Sequence, residues 1–366
     1  MKIAPVITAL KAGHSPFQVC LVHTGQHYDS AMNDQFFSVL GIPKPDINLD
    51  VGSASHAVQT AEIMRRFEPV LQRETPDAVL VVGDVNSTIA CALVATKMGI
   101  KVIHVEAGLR SYDRGMPEEV NRVLTDQISD ILFTTERDAA ENLRLEGISG
   151  ERVHFVGNVM IDTLRNQLPH ATPVAQTLKL AGISDDFLAD AKGYGVLTLH
   201  RPSNVDDPNI LRLLLSTVNE ISESLPIIFP IHPRTRGRIE SNGLMHSITS
   251  KKIALLPPQG YLEMLGLMKD ARVALTDSGG IQEETTALGV PCITLRHNTE
   301  RPITVTDGTN TITGTDPEKI RNAVSELLRT GGKAGKSPEF WDGKAAQRIA
   351  AILHNWLGQP EKRHVA

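Results

Sequence analysis

The stretch Val273-Ala274-Leu275-Thr276-Asp277-Ser278-Gly279-Gly280-Ile281-Gln282-Glu283-Glu284 decides the fold. An apolar run ends in a paired-glycine turn, and Ala287 and Leu288 then follow at helical spacing from Ile281, so the segment reads strand, tight turn, helix. Ser278, Gly279 and Gly280 would present backbone N–H groups at a helix N-terminus, where the dipole favours an anion and glycine admits a phosphate close to the main chain. A carboxylate one turn in, Glu283 or Glu284, suits a ribose diol, which needs an acceptor for its hydroxyl protons. Taken singly, the same stretch also fits a glycine turn that merely joins strand to helix.

Working outward, short apolar runs alternate with amphipathic ones on both sides. Helical apolar spacing opens the chain at Lys2–Leu10. A strand at Phe17–Val22 and helices near 30–40 and 54–73 come next. Strands at 78–82, 101–105, 131–134 and 153–156 then alternate with helices over 86–98, 117–129 and 137–146. Such alternation predicts βα units in parallel sheets. The pattern loosens between about 166 and 192 and resumes with strands at 195–199, 226–231, 253–256 and 271–275 and helices over 209–224 and 261–268. The expected fold is therefore α/β: two doubly wound parallel-sheet domains around a central cleft. Residues 1–168 form the first, 169–192 a linker and 193–340 the second. A C-terminal helix and tail over 341–366 cross back to the first. In such sheets the carboxyl ends of the strands carry the site.

Composition narrows the function. The 366 residues carry a net charge of -5, which gives no broad basic surface for nucleic acid. Three scattered cysteines without CxxC spacing offer neither a disulfide framework nor a zinc site, and no metal-ligand pattern or cofactor motif occurs elsewhere. No stretch approaches a membrane span, so a cytoplasmic location is expected.

Polar clusters recur at the expected strand ends. Asp84 follows the strand at 78–82, where an N-cap is the bland account. Glu106 closes an apolar strand, and a carboxylate buried there is costly unless paired or functional. Glu118 and Arg122 stand four residues apart on one helical face, as a surface ion pair would. In the second half His200-Arg201 and His232 end two further strands, and with Arg301 they predict a cationic pocket facing the glycine turn. One half reads as acidic and catalytic, the other as phosphate-holding.

Together, Gly25-Gln26-His27, Gly83-Asp84, His104-Val105-Glu106-Ala107-Gly108-Leu109-Arg110, Pro117-Glu118-Glu119-Val120-Asn121-Arg122, Gly157-Asn158, His200-Arg201, Asp277–Glu284 and Thr299-Glu300-Arg301-Pro302 resemble the non-hydrolysing UDP-N-acetylglucosamine 2-epimerases, in one order over nearly the whole chain. The resemblance implies a glycosyltransferase-B fold and a homodimer. The implied reaction is reversible C2 epimerisation of UDP-GlcNAc to UDP-ManNAc, by anti elimination of UDP and re-addition through a 2-acetamidoglucal, serving polysaccharide biosynthesis. It implies Asp84, Glu106, Glu118 and His200 as catalytic residues. Lys2, Arg122, Arg201, His232, Ser278, Gly279, Gly280, Glu284 and Arg301 would hold the UDP-sugar. Gln26 is the candidate for a regulatory site, although members activated by a second UDP-GlcNAc carry another glutamine where Asp29 stands. The family also places a strand and a Gly-Thr-Arg-Pro-Glu loop ahead of Lys2. Their absence here leads us to expect either that the natural start lies upstream or that the chain is impaired. Two alternatives share the motifs or the architecture: a C2 epimerase of a UDP-diacetamido-uronate, and a glycosyltransferase, which would need an acceptor groove. A catalytically silent UDP-sugar binder is a third.

Overall fold

The computed structural model describes residues 1–13, 15–25, 37, 39–189 and 193–358. The chain forms two compact units, one from Met1–Thr163 with Glu339–Ala366 and the other from Leu164–Pro338. Twelve strands occur among the described residues, all in parallel pairings. In the first unit they are β1 (Val22–His23), β2 (Ile47–Asn48), β3 (Ala78–Val82), β4 (Lys101–Ala107), β5 (Ile131–Thr134) and β6 (Val153–Phe155). The second has β7 (Gly195–Thr198), β8 (Ile227–Pro230), β9 (Ile253–Leu256), β10 (Val273–Thr276), β11 (Cys292–Thr294) and β12 (Asn310–Ile312).

The sheet of the second unit runs β12-β11-β10-β7-β8-β9. The chain lays down β7, β8 and β9 in one direction, returns to place β10 beside β7, and then continues the other way. The strand order therefore reverses between β7 and β10, and in open parallel sheets the crevice at such a reversal is where ligands bind. Both faces of this sheet are covered. Leu197, Phe229, Leu275 and Ile293 pack into one core, while Val196, Ile228, Ala254 and Leu256 pack into another. Burial on both faces explains why these strands read as apolar runs rather than alternating patterns. Within the stretch expected as a linker, Val174–Leu180 is helical, and its Leu178 is fully buried in the second of those cores.

The first unit orders four strands as β3-β4-β5-β6, with β1 and β2 as a separate pair. The strand expected over Phe17–Val22 pairs only at Val22 and His23, since β2 offers just two residues of ladder. The opening helix, Ile3–Leu10, follows its apolar spacing and packs Val6 and Leu10 against Ile103, Val105 and Phe133. The same core takes in Ala345, Ile349 and Leu353 of the closing helix Ala345–Leu357. That helix has no side-chain cap of its own. Asp162 supplies one, accepting from the N–H groups of Ala345 at 3.1 Å and Ala346 at 2.7 Å. Just upstream, the Trp341 indole is fully buried and donates to the Thr135 carbonyl at 3.2 Å.

Gly157 lets this segment approach. Its φ is +90°, and a Cβ there would lie 2.1 Å from the Phe340 carbonyl oxygen. Gly157→Ala should therefore lower unfolding free energy by more than about 2 kcal/mol, from backbone strain and overlap combined. Urea denaturation of the two proteins checks this, and a change under about 0.5 kcal/mol, the range of an ordinary surface substitution, would show the contact to be unimportant.

Candidate active site

Each unit gathers polar groups at the carboxyl ends of its strands. In the second unit, the ends of β7, β8 and β10 and the loop after β9 line one pocket, with His200, His232, Gln259, Ser278 and Ile281 among its walls. Helix Gly279–Leu288 begins there with Ser278 at its N-cap position, and the Ser278 side chain makes no capping bond. The N–H groups of its first turn have no intrahelical acceptor, which leaves a helix N-terminus suited to an anion. A Cβ at Gly279 would sit 2.6 Å from Glu300 Oε1, so a larger residue there must displace that buried carboxylate.

Asp277, fully buried just before this turn, fixes the facing loop. It accepts from the N–H groups of His200 and Arg201, each at 2.9 Å to Oδ2, and from His200 Nδ1 at 2.9 Å. Burial alone would raise its pKa, but the His200 ring and these backbone bonds hold it below the usual carboxylate range. The His200 and His232 rings lie 5.8 Å apart between centroids. His232 is held below the usual histidine pKa by desolvation and by the charge of His200.

The arginines answer the expectation of a cationic pocket differently. Arg301 is buried and its Nε donates to Glu283 at 2.8 Å. Arg201 lies 3.6 Å from Glu300, which Arg296 approaches to 2.9 Å. Buried guanidinium groups need carboxylate partners, and here the protein supplies them. The described residues that line the pocket include the helix N-terminus and two histidines but no arginine, so its suitability for an anion rests on the backbone N–H groups of that terminus.

One helical turn beyond Ile281, Glu284 is only 4% exposed and accepts a hydrogen bond from the Tyr261 hydroxyl at 3.0 Å. Burial pushes its pKa up to about 7, the Tyr261 bond opposing and the Glu283 charge adding to the rise.

In the first unit the register of β3 on β4 pairs Val82 with Val105, so Gly83-Asp84 and Glu106 leave adjacent strands at the same end. Glu106 has φ +75°, and the β4–β5 pairing shifts register between Val105 and Ala107. A non-glycine residue held there costs about 1–3 kcal/mol, and strain of this kind clusters at active sites. Lys2 Nζ meets Glu106 Oε1 at 2.6 Å. Asp84 takes Arg122 at 2.7 Å, and Arg122 reaches Glu119 at 3.0 Å. Arg122 thus pairs with Asp84 and Glu119 rather than with Glu118, the partner expected from spacing. Glu118 stands, half-buried, in the first turn of helix Pro117–Ile128.

Sequence reasoning passed over three residues that hold this arrangement: Asp277, Tyr261 and Glu119. Asp277 carried a usable signal, a carboxylate directly after an apolar strand. Tyr261 carried none beyond its place at a helix start. Gln26 lies outside the described residues. Among the described residues no group of three or more His, Cys, Asp or Glu side chains is placed to hold a metal ion, and no helix is long and apolar enough to cross a membrane.

Two Rossmann-like units with an anion-ready helix N-terminus in one and clustered acids in the other define a nucleotide-sugar enzyme of the glycosyltransferase-B class. The family model for UDP-N-acetylglucosamine 2-epimerase matches residues 9–354, and the chain belongs to that family. A UDP-N-acetylglucosamine 2-epimerase from Methanococcus maripaludis is 45% identical, with 96% of this chain and 94% of that protein covered. A UDP-2,3-diacetamido-2,3-dideoxy-D-glucuronate 2-epimerase from Pseudomonas aeruginosa is 40% identical over 91% of this chain and 90% of that one. The crystal structure of Methanocaldococcus jannaschii UDP-GlcNAc 2-epimerase with UDP-GlcNAc and UDP superposes with a TM-score of 0.83 at 43% identity, covering 97% of this chain and 96% of that one.

The environment of Glu284 has a consequence for stability. Because its folded pKa lies above the unfolded value of 4.5, the folded state binds the extra proton. Its contribution is complete below about pH 4.5 and is lost as pH rises through about 7, a change of about 3 kcal/mol. Glu284→Gln should flatten this part of the stability profile. Urea denaturation between pH 5 and 8 reads it, and parallel profiles for the two proteins would contradict it.

Proposed function

We propose that the protein interconverts UDP-N-acetylglucosamine and UDP-N-acetylmannosamine by inverting C2 of the sugar. The observation that carries this reading is Glu106. It is a carboxylate 3% exposed, in a left-handed backbone conformation, at the end of β4 beside the Asp84 turn. A transferase of the same architecture has no need of clustered acids where a sugar carbon would be deprotonated.

In the proposed reaction a carboxylate takes the C2 proton as the C1–O bond breaks and UDP leaves with the bonding electrons, giving a C1=C2 glycal. UDP then adds back at C1 while a second group returns a proton to the opposite face of C2. Two acid/base groups are needed, because one base alone could reach both faces only if the sugar turned over. Two of Asp84, Glu106 and Glu118 supply them. The departing diphosphate is received by the N–H groups around Ser278, Gly279 and Gly280, with His200 nearby, where dipoles fixed in advance stabilise charge as it develops. Glu284 accepts from the ribose hydroxyls, and Tyr261 orients it. Arg201 and Arg301, already paired with acids, hold the loops that shape this site. The family likeness supports a cytoplasmic homodimer.

Incubation with UDP-GlcNAc in deuterated water should place deuterium at C2 of both sugars. Product without deuterium at C2 would exclude the mechanism. Parallel incubation with the diacetamido-uronate analogue separates the two epimerase readings, since the preferred substrate must exchange faster. Glu106→Gln and Asp84→Asn should each lower turnover by about two orders of magnitude or more, with UDP affinity kept. Isothermal titration with UDP and the exchange rate test both halves of that statement.

A further inference from the structure

The acids of the first unit are held by a side chain that nothing above places in the reaction. His104 lies in the middle of β4 and is fully buried. Its Nε2 lies 2.9 Å from the Gly83 carbonyl oxygen, and its Nδ1 lies 2.7 Å from Asp126 Oδ1. A carbonyl can only accept, so Nε2 carries a proton. The other oxygen of Asp126 accepts from Gly108 N at 3.1 Å and faces the Arg110 guanidinium at 2.7 Å. The guanidinium on Oδ2 favours the ionised form of Asp126, and in that form Oδ1 accepts from a proton on Nδ1 as well.

The two ends of this ring reach the two catalytic loops. Gly83 is bonded on both sides from β4, its N–H to the Val105 carbonyl at 3.0 Å and its carbonyl to His104. Asp84 is the next residue. On the other side, Asp126 ties the ring to Gly108, two residues past Glu106. We propose that His104 is a positioning residue: a doubly bonded imidazolium that fixes the Asp84 turn against the Glu106 strand end.

The charges around the ring are consistent with this. Burial draws its pKa down, but the Asp126 carboxylate, the Gly83 carbonyl and the Glu106 charge outweigh burial and leave it raised. Arg110 is shared between Asp126 and Glu146, and Lys2 is paired to Glu106, so the cations nearby are themselves matched to acids. A residue that carried only packing would not need both ring nitrogens bonded to the two loops. The catalytic consequence rests on the epimerase reading; the brace itself does not.

Two substitutions separate the arms. His104→Asn can keep the bond to Asp126 and lose the one to Gly83, whereas His104→Gln can do the reverse. Each should lower the rate of C2 exchange about tenfold or more while KM and UDP affinity stay within about twofold, because substrate binding is left in place and acid/base alignment is not. Asp126→Asn should give the same loss, and combined with His104→Gln it should lose little more than either alone, as expected of groups acting as a unit.

Nitrogen-15 NMR of histidine-labelled protein supplies a readout independent of activity. The signal lost in the His104 variants should show a hydrogen on both ring nitrogens at pH 8. A singly protonated ring would overturn the brace, even if a variant failed to fold. Exchange rates within twofold of the parent, or KM rising in step with falling turnover, would overturn the positioning role. Absence of exchange in the parent would instead refute the proposed reaction, and the spectrum would still decide the brace.

Discussion

The buried polar face of helix Pro117–Ile128 is the constraint on which the first unit depends. Glu119, Arg122 and Asp126 are all buried, at spacings of three and four residues that place them along one side of the helix. Glu119 accepts from the N–H groups of Ser111 and Tyr112, Arg122 takes Asp84, and Asp126 takes His104 and Gly108. One helix thus fastens the Asp84 turn, β4 and the segment that follows β4 through charged groups in a medium of low dielectric, where an unpaired charge would be costly and a paired one is rigidly placed. That rigidity suits a reaction in which two acid/base groups must keep their separation while the carbon between them inverts.

In the proposed reaction the second unit meets a different demand, which is to receive a diphosphate and give it back. A permanent cluster of unpaired arginines would hold the leaving group too firmly and would be costly in the empty state. Instead, guanidinium charge is matched internally by Glu283 and Glu300, and the pocket presents backbone dipoles and histidines. Asp277 joins the two strand ends at the reversal point by accepting bonds from the loop after β7. The geometry of the pocket is therefore set by backbone hydrogen bonds to one buried carboxylate, a short-range arrangement that does not rely on long flexible side chains.

Much of this was legible in the amino-acid order. The apolar runs of β3, β4, β9 and β10 announced themselves because strands covered on both faces are continuously hydrophobic. Cys292–Thr294 and Asn310–Ile312 escaped because three residues carry no readable period. The candidate acids stood out as carboxylates ending apolar strands. Their supports did not, because helix Pro117–Ile128 inverts the usual rule: Val120 and Leu124 are 43% and 50% exposed, while its acids and arginine face inward. A pattern reading that assigns apolar residues to the core must orient such a helix backwards. Arg301 shows the same limit, since sequence shows a charge but not the Glu283 that answers it.

The placement of Glu339–Leu357 among the packing of the first unit makes the second unit an insertion in the chain. Leu164–Pro338 is a single continuous length that can finish its own sheet as it emerges from the ribosome. The portion made first cannot close its core until Trp341 and the last helix have been synthesised. The half that carries the acids is therefore the later of the two to mature.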